Sequence, residues 1–177
     1  MVSRDDLAVR LFHATMGVIT SEDELVQADA AGGRAMTDVA SAVSAAVAAS
    51  DGSIRKLFED ASLSVSRLGG DDPGVSFWVA WLDGLAAASP DGDELDLEGV
   101  RTLFDQALDD VTRALAAGLC NVAPTDVLAV VSVVVSSSDD ELDAFDDAAD
   151  AAEEATSGTD DPVSLSVARF LRGLAQA

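Results

Sequence analysis

Apolar residues recur at helical spacing along most of the chain. Leu97, Val100, Leu103, Phe104, Ala107, Leu108, Val111 and Leu115 form the most regular run, one face of a helix that Gly118 ends. Leu7, Val9, Leu11 and Phe12 predict an earlier helix over 5–17, with Gly17 as its stop. Ser21 followed three positions later by Glu24 has the spacing of a capping box. Over 34–50, small residues alternate with Met36, Val39, Val43 and Val47, a narrow stripe on an Ala-rich helix suited to close packing. Ile54, Leu57, Phe58, Ala61 and Val65 give the next helix, stopped by Gly69 and Gly70. Pro73 opens another, with Phe77, Trp78, Trp81, Leu82 and Leu85 inside it. The run from Pro124 to Val135 is dense in β-branched residues and would suit a buried strand, but its length and flanking helices favour a helix. An acidic helix over 139–155 turns Leu142, Phe145, Ala148 and Ala152 inward, and a last helix carries Leu165, Val167, Phe170 and Leu171. The sum is an all-α chain of about eight helices with short connections. That predicts one domain over 1–177, an up-and-down antiparallel helical barrel or bundle.

Charge changes this picture outside the core. The 177 residues carry 33 Asp and Glu against 10 Lys and Arg, a net charge of −23, and Lys56 is the single lysine. Hydrophobic residues still make up 49%, so the chain is not a disordered acidic tail. Such a shell repels itself unless salt screens it, and at roughly 1 M salt the Debye length is about 3 Å. An acidic, almost lysine-free surface over a full core is expected of a protein from a salt-rich cytoplasm. Nucleic acids and anionic membranes call for clustered Lys and Arg, and the arginines here are scattered. No apolar stretch approaches the roughly 20 residues a membrane helix needs, and the first residues lack the pattern of a signal peptide. A cytoplasmic location is the expectation. The lone cysteine, Cys120, beside Leu119, reads as a small buried thiol, and the lone histidine, His13, as packed or half-exposed beside Phe12. Trp78 and Trp81, three positions apart, read as core anchors.

Candidate chemistry lies between the helices. The first segment runs from Glu24 through Gln27, Asp29, Ala31 and Gly33 to Met36. The second is Leu68, Gly69, Gly70, Asp71, Asp72, Pro73 and Gly74. The third is Ala123, Pro124, Thr125, Asp126, Val127 and Leu128, followed later by Asp160, Asp161 and Pro162. In order and spacing they resemble the nucleotide-binding subunit of dihydroxyacetone kinase, the DhaL domain family, over nearly the whole chain. The resemblance implies a barrel of eight antiparallel helices holding ADP or ATP at one end, with magnesium on three aspartates. It implies a protein partner too, the dihydroxyacetone-binding kinase subunit.

Carried over, the first magnesium aspartate is Glu24, the second is Asp29, and the third position is Ala31. The resemblance assigns nucleotide binding to Gly33, Met36, Gly69, Gly70, Thr125 and Asp161. Magnesium wants near-octahedral oxygen ligands bridging to phosphate, so losing one carboxylate weakens the set. Glu24 also reads as the third helical residue of a capping box, and Asp29 as a solvated helix residue. The family presents small residues and a Ser hydroxyl to phosphate in its second loop. Here Asp71 and Asp72 stand there, and two carboxylates repel polyphosphate. Asp72 before Pro73 also suits a helix N-cap. The family lysine near Thr125 is absent, and the last loop is short. The expectation is a diverged subunit of a dihydroxyacetone kinase type phosphotransferase with a degenerate Mg-nucleotide site. The alternatives are a non-catalytic binding or scaffold protein that keeps only the fold, and an unrelated helical bundle.

Overall fold

The computed structural model describes all of residues 1–177. In chain order the elements are β1 (Val2–Ser3), α1 (Arg4–Ile19), α2 (Glu22–Ala28), α3 (Ala30–Ala49), α4 (Ile54–Ser66), α5 (Pro73–Ala88), β2 (Glu94–Leu95), α6 (Leu97–Ala116), α7 (Val122–Val135), α8 (Glu141–Ala155) and α9 (Pro162–Ala175). The all-α expectation holds, with nine helices rather than about eight. Each long helix packs on the next, and α9 returns onto α1, so eight helices form a closed ring and short α2 sits in the α1–α3 connection.

Neighbours in the ring run antiparallel. Ser64 donates to the Ala42 carbonyl at one end of the α3–α4 pair, and Ser50 to Asp60 at the other. Ser62 reaches Asp83 and Arg55 reaches the Ser89 carbonyl across α4–α5. Across α8–α9, Arg169 meets Glu153 and Arg172 meets Asp150. Alternation puts the starts of α3, α5, α7 and α9 at one end, here the α2 end. Both chain termini and the 89–96 connection lie at the other, where β1 and β2 pair Val2 with Leu95 and Ser3 with Glu94. Two residues per strand carry no legible period, so this ribbon has no sequence signal.

The core is one contiguous cluster inside the ring. Phe77, Trp78, Trp81 and Phe170 lie at its centre. The two indoles are 4.8 Å apart, and Phe170 meets them edge-on at 5.1 and 5.7 Å. Trp78 donates Nε1–H to the Ser166 hydroxyl at 3.1 Å. Cys120 is buried, as expected, and burial pushes its thiol pKa up.

The valine-rich run to Val135 is helical, and it turns Val127, Leu128, Val131 and Val135 inward. The first helix departs from expectation. Its buried stripe is Leu7, Leu11, Ala14, Thr15 and Val18, while Val9 and Phe12 face solvent. His13 is exposed too, with its ring edge-on to Phe12. The helix also passes through Gly17 to Ile19. Gly17 is a packing residue: a Cβ there would lie 2.5 Å from the Arg169 carbonyl oxygen, and Gly173 opposite it leaves 2.4 Å to that of His13. The α1 and α9 backbones meet through two glycines. On α8 the expected inward Leu142 is exposed, and Ala144, Phe145, Ala148 and Ala152 form the buried face.

Candidate functional site

Five of the nine helices are capped by an aspartate side chain, and α1 and α4 by a serine. At the α2 end, Asp29 precedes α3 and accepts from the Gly32 N–H at 2.6 Å. Asp72 precedes α5 and accepts from Gly74 and Val75 at 2.7 and 3.2 Å, with Pro73 at the first helical position. Asp161 precedes α9 and accepts from Ser164 N–H at 2.9 Å and from its hydroxyl. Asn121, before α7, makes no side-chain cap. The positive dipole ends of four helices therefore face one way. At three of them the free N–H groups, where a phosphate would bind, already hold a carboxylate of the chain itself.

These caps touch one another through glycines. A Cβ on Gly32 would lie 2.8 Å from Asp29 Oδ2 and 2.9 Å from Pro162, so the α3 and α9 starts abut. A Cβ on Gly74 would meet Met36 and Val163 at 2.6 and 2.8 Å, which brings α5 against both. Gly33 is buried, and a Cβ there would lie 2.4 Å from the Leu25 backbone, so the glycine lets α2 seat on α3.

All eight sequence-predicted positions thus lie at the α2 end, in different roles. Gly33 and Met36 are buried packing residues under the loops. Thr125 is buried and donates to the Asn121 carbonyl at 3.2 Å. Gly69 and Gly70 are exposed with φ of +67° and +83°, a left-handed turn that favours glycine. Asp29 and Asp161 are helix caps. The segment read as a loop from Glu24 to Met36 is almost wholly helical, broken at Asp29 alone.

Glu24 is placed by a residue the sequence reading missed. The Arg169 guanidinium donates Nε–H to Glu24 Oε2 at 2.8 Å and Nη2–H to Oε1 at 2.7 Å, and reaches Glu153 at 3.4 Å. Arg172, one turn on, binds Glu153 and Asp150. The expected capping box does not form. Ser21 donates its hydroxyl to the Gly17 carbonyl at 2.8 Å, and Glu24 turns to Arg169, a stronger charge-assisted partner. Those hydrogen bonds hold the Glu24 carboxyl below its ordinary pKa, and Arg172 does the same for Glu153. An open depression of about 500 Å³ lies over this network, lined by Glu24, Glu153, Thr156, Thr159, Leu165 and Arg169. The legible signal for Arg169 was an arginine one turn before Arg172 on a mostly apolar helix, in a chain with ten basic residues.

A magnesium-nucleotide does not fit this donor set. Glu24 is engaged on both oxygens, Asp29 on its helix, and Ala31 is exposed with no donor to offer. No three His, Cys, Asp or Glu side chains converge in a way that could hold a metal ion. No helix is long and apolar enough to cross a membrane. No family model matches this chain, and no curated protein matches it.

Proposed function

We propose that this chain is a non-catalytic helical binding or scaffold protein, a relative in form of the DhaL-type kinase subunit whose nucleotide end has become structural. The bidentate Arg169–Glu24 pair carries this reading. A carboxylate bound by a guanidinium through both oxygens has its charge compensated and keeps only one lone pair on each oxygen, which makes it a poor ligand for a hard cation. The aspartate caps work in the same direction, because any phosphate would have to displace a like-charged group from each helix start. The partner remains a protein, and the α2 end is the face such a subunit would present to it.

A second reading, a diverged dihydroxyacetone kinase type subunit that still takes Mg-ADP or Mg-ATP, draws support from one observation. Glu24, Asp29, Gly33, Met36, Gly69, Gly70, Thr125 and Asp161 gather at a single end of the ring. Calorimetric titration of Mg-ADP into the full chain in molar KCl separates the two. The expected result is no heat at millimolar nucleotide. Micromolar binding that disappears in Asp29→Asn would overturn the non-catalytic reading in favour of the second.

A further inference from the structure

Beyond the last turn of α9, an open depression of about 490 Å³ lies between the starts of α1 and α8. Val2, Val9 and Leu142 line it, with Asp6, Asp140 and Glu141 around them. Val9 and Leu142 are 54 and 52% exposed, left outside the buried stripes of their helices. Phe12, at 48%, continues the apolar strip one turn along α1. Apolar side chains gathered on a surface and rimmed by charge mark a contact site.

Charge identifies the occupant. From Asp139 to Glu154, nine of 16 residues are acidic and none is basic, so this rim is denser in charge than the rest of the shell. The ion pairs of α8 engage Glu141, Asp150 and Glu153, which leaves Asp139, Asp140, Asp143 and Asp146 without a basic partner. Asp140 above all, with Asp147, Asp139 and Asp146 behind it, pushes the Asp143 carboxyl above its ordinary pKa. The two cations at the depression show what chemistry it accepts. The Met1 ammonium pairs with Glu141 at 3.1 Å. The Arg10 guanidinium lies over the Phe145 ring and donates to the Leu174 carbonyl at 2.9 Å, at the negative end of α9. An acidic segment would be repelled here, and a neutral one would leave the crowding of Asp143 in place. We propose that the depression docks a basic amphipathic helical segment of another protein. Its apolar face covers Val9, Phe12 and Leu142, and its Lys or Arg side chains lie over Asp140, Asp143 and Asp146. A helix laid in a groove is recognised through such anchors at helical spacing. This surface is at the opposite end of the ring from Glu24 and Arg169, so it stands apart from the function proposed above.

Fluorescence anisotropy with the full chain tests this. The probe is a labelled peptide of about 14 leucines and lysines with its leucines at helical spacing. One control is the same composition shuffled, and another keeps the pattern with Glu in place of Lys. The patterned Lys peptide should bind with a dissociation constant of about 1–50 µM in roughly 0.15 M KCl. Its affinity should fall about tenfold by roughly 1 M KCl as the charges are screened. The shuffled peptide should bind at least about tenfold more weakly, and the Glu peptide not at all. Val9→Ser/Leu142→Ser should weaken binding at least about tenfold with an unchanged circular dichroism spectrum, since both side chains face solvent. Asp143→Asn/Asp146→Asn, which relieves crowding in the fold, should weaken it as well. Val130→Ser/Val133→Ser, equally exposed on α7, should change nothing. No binding at about 0.5 mM protein overturns the proposal. Equal affinity for the shuffled peptide overturns it too, since that is diffuse attraction to the acidic shell. So does undiminished affinity in the Val9/Leu142 variant.

Discussion

Arg169 does more for this fold than its position in the chain suggests. It joins α2 to α9 and α8, across 145 positions in sequence, through one guanidinium. Arg169 and Glu24 are about a third and two-fifths exposed, so solvent limits the pair to about 1 kcal/mol. Replacing Arg169 by Ala should lower the melting temperature by about 1–4 °C at neutral pH. The pH dependence has a definite sign. Glu24 has a depressed folded pKa, so its contribution is complete above its ordinary value of about 4.3 and is lost as pH falls through the lowered one. The gap between wild type and variant should therefore close below about pH 4. Asp143 works oppositely. Crowding by Asp140 first, and then by its other acidic neighbours, raises its pKa, so protonating it on mild acidification relieves repulsion. Thermal melts of both proteins from pH 7 to 3 check this, and a gap that persists undiminished at pH 3 would contradict it. At this scale the sequence was half legible. Asp72 as a cap could be read because a cap and its N–H groups are neighbours in sequence. The partner of Glu24 could not, because nothing local sets it.

The helices themselves were legible wherever a long apolar stripe coincided with a buried face, as in α6 from Val100 to Val111. Reading failed where a residue had two possible jobs. Gly17 has the look of a helix stop, yet it lies within α1 because α9 approaches too closely for any side chain. The same ambiguity gives a test with an informative sign. In an ordinary solvated helix, Gly→Ala adds up to about 1 kcal/mol of stability. At Gly173 the new Cβ would lie 2.4 Å from the His13 carbonyl oxygen and 2.7 Å from the Ala14 Cα. Both are backbone and cannot swing aside, so α1 and α9 must separate. Gly173→Ala should cost about 1–3 kcal/mol, the range for an overpacked core. Urea unfolding measures it, and an unchanged or raised midpoint would show that the two helices do not meet there. Val9, Phe12 and Leu142 were misassigned for a related reason. Apolar character alone does not say which side of a helix the ring lies on, and only the full stripe of Leu7, Leu11, Ala14 and Val18 does.

For the whole molecule, composition announced the surface and periodicity the architecture, but ring closure was not written in any one segment. It emerges from α1 meeting α9, the first long helix and the last. The acidic shell then surrounds a closed core. Its self-repulsion opposes compactness at low ionic strength, and the unfolded chain relieves it by expanding. Melting temperature should accordingly climb by at least about 5 °C, roughly 1–2 kcal/mol for a chain of this size, between about 0.1 and 1 M KCl. A flat or falling curve in a scanning calorimeter would refute that account. Closure has another consequence, one of timing. The buried stripe of α1 is covered by α9, which is synthesised after the other eight helices. Until α9 arrives, Leu7, Leu11 and Val18 have only part of their packing, and the ring stays open at one seam. Contacts of such long sequence separation slow folding and prolong exposure of apolar surface. A nascent chain of this kind depends on its charge: the carboxylates that strain the finished molecule in dilute buffer keep its unfinished copies apart.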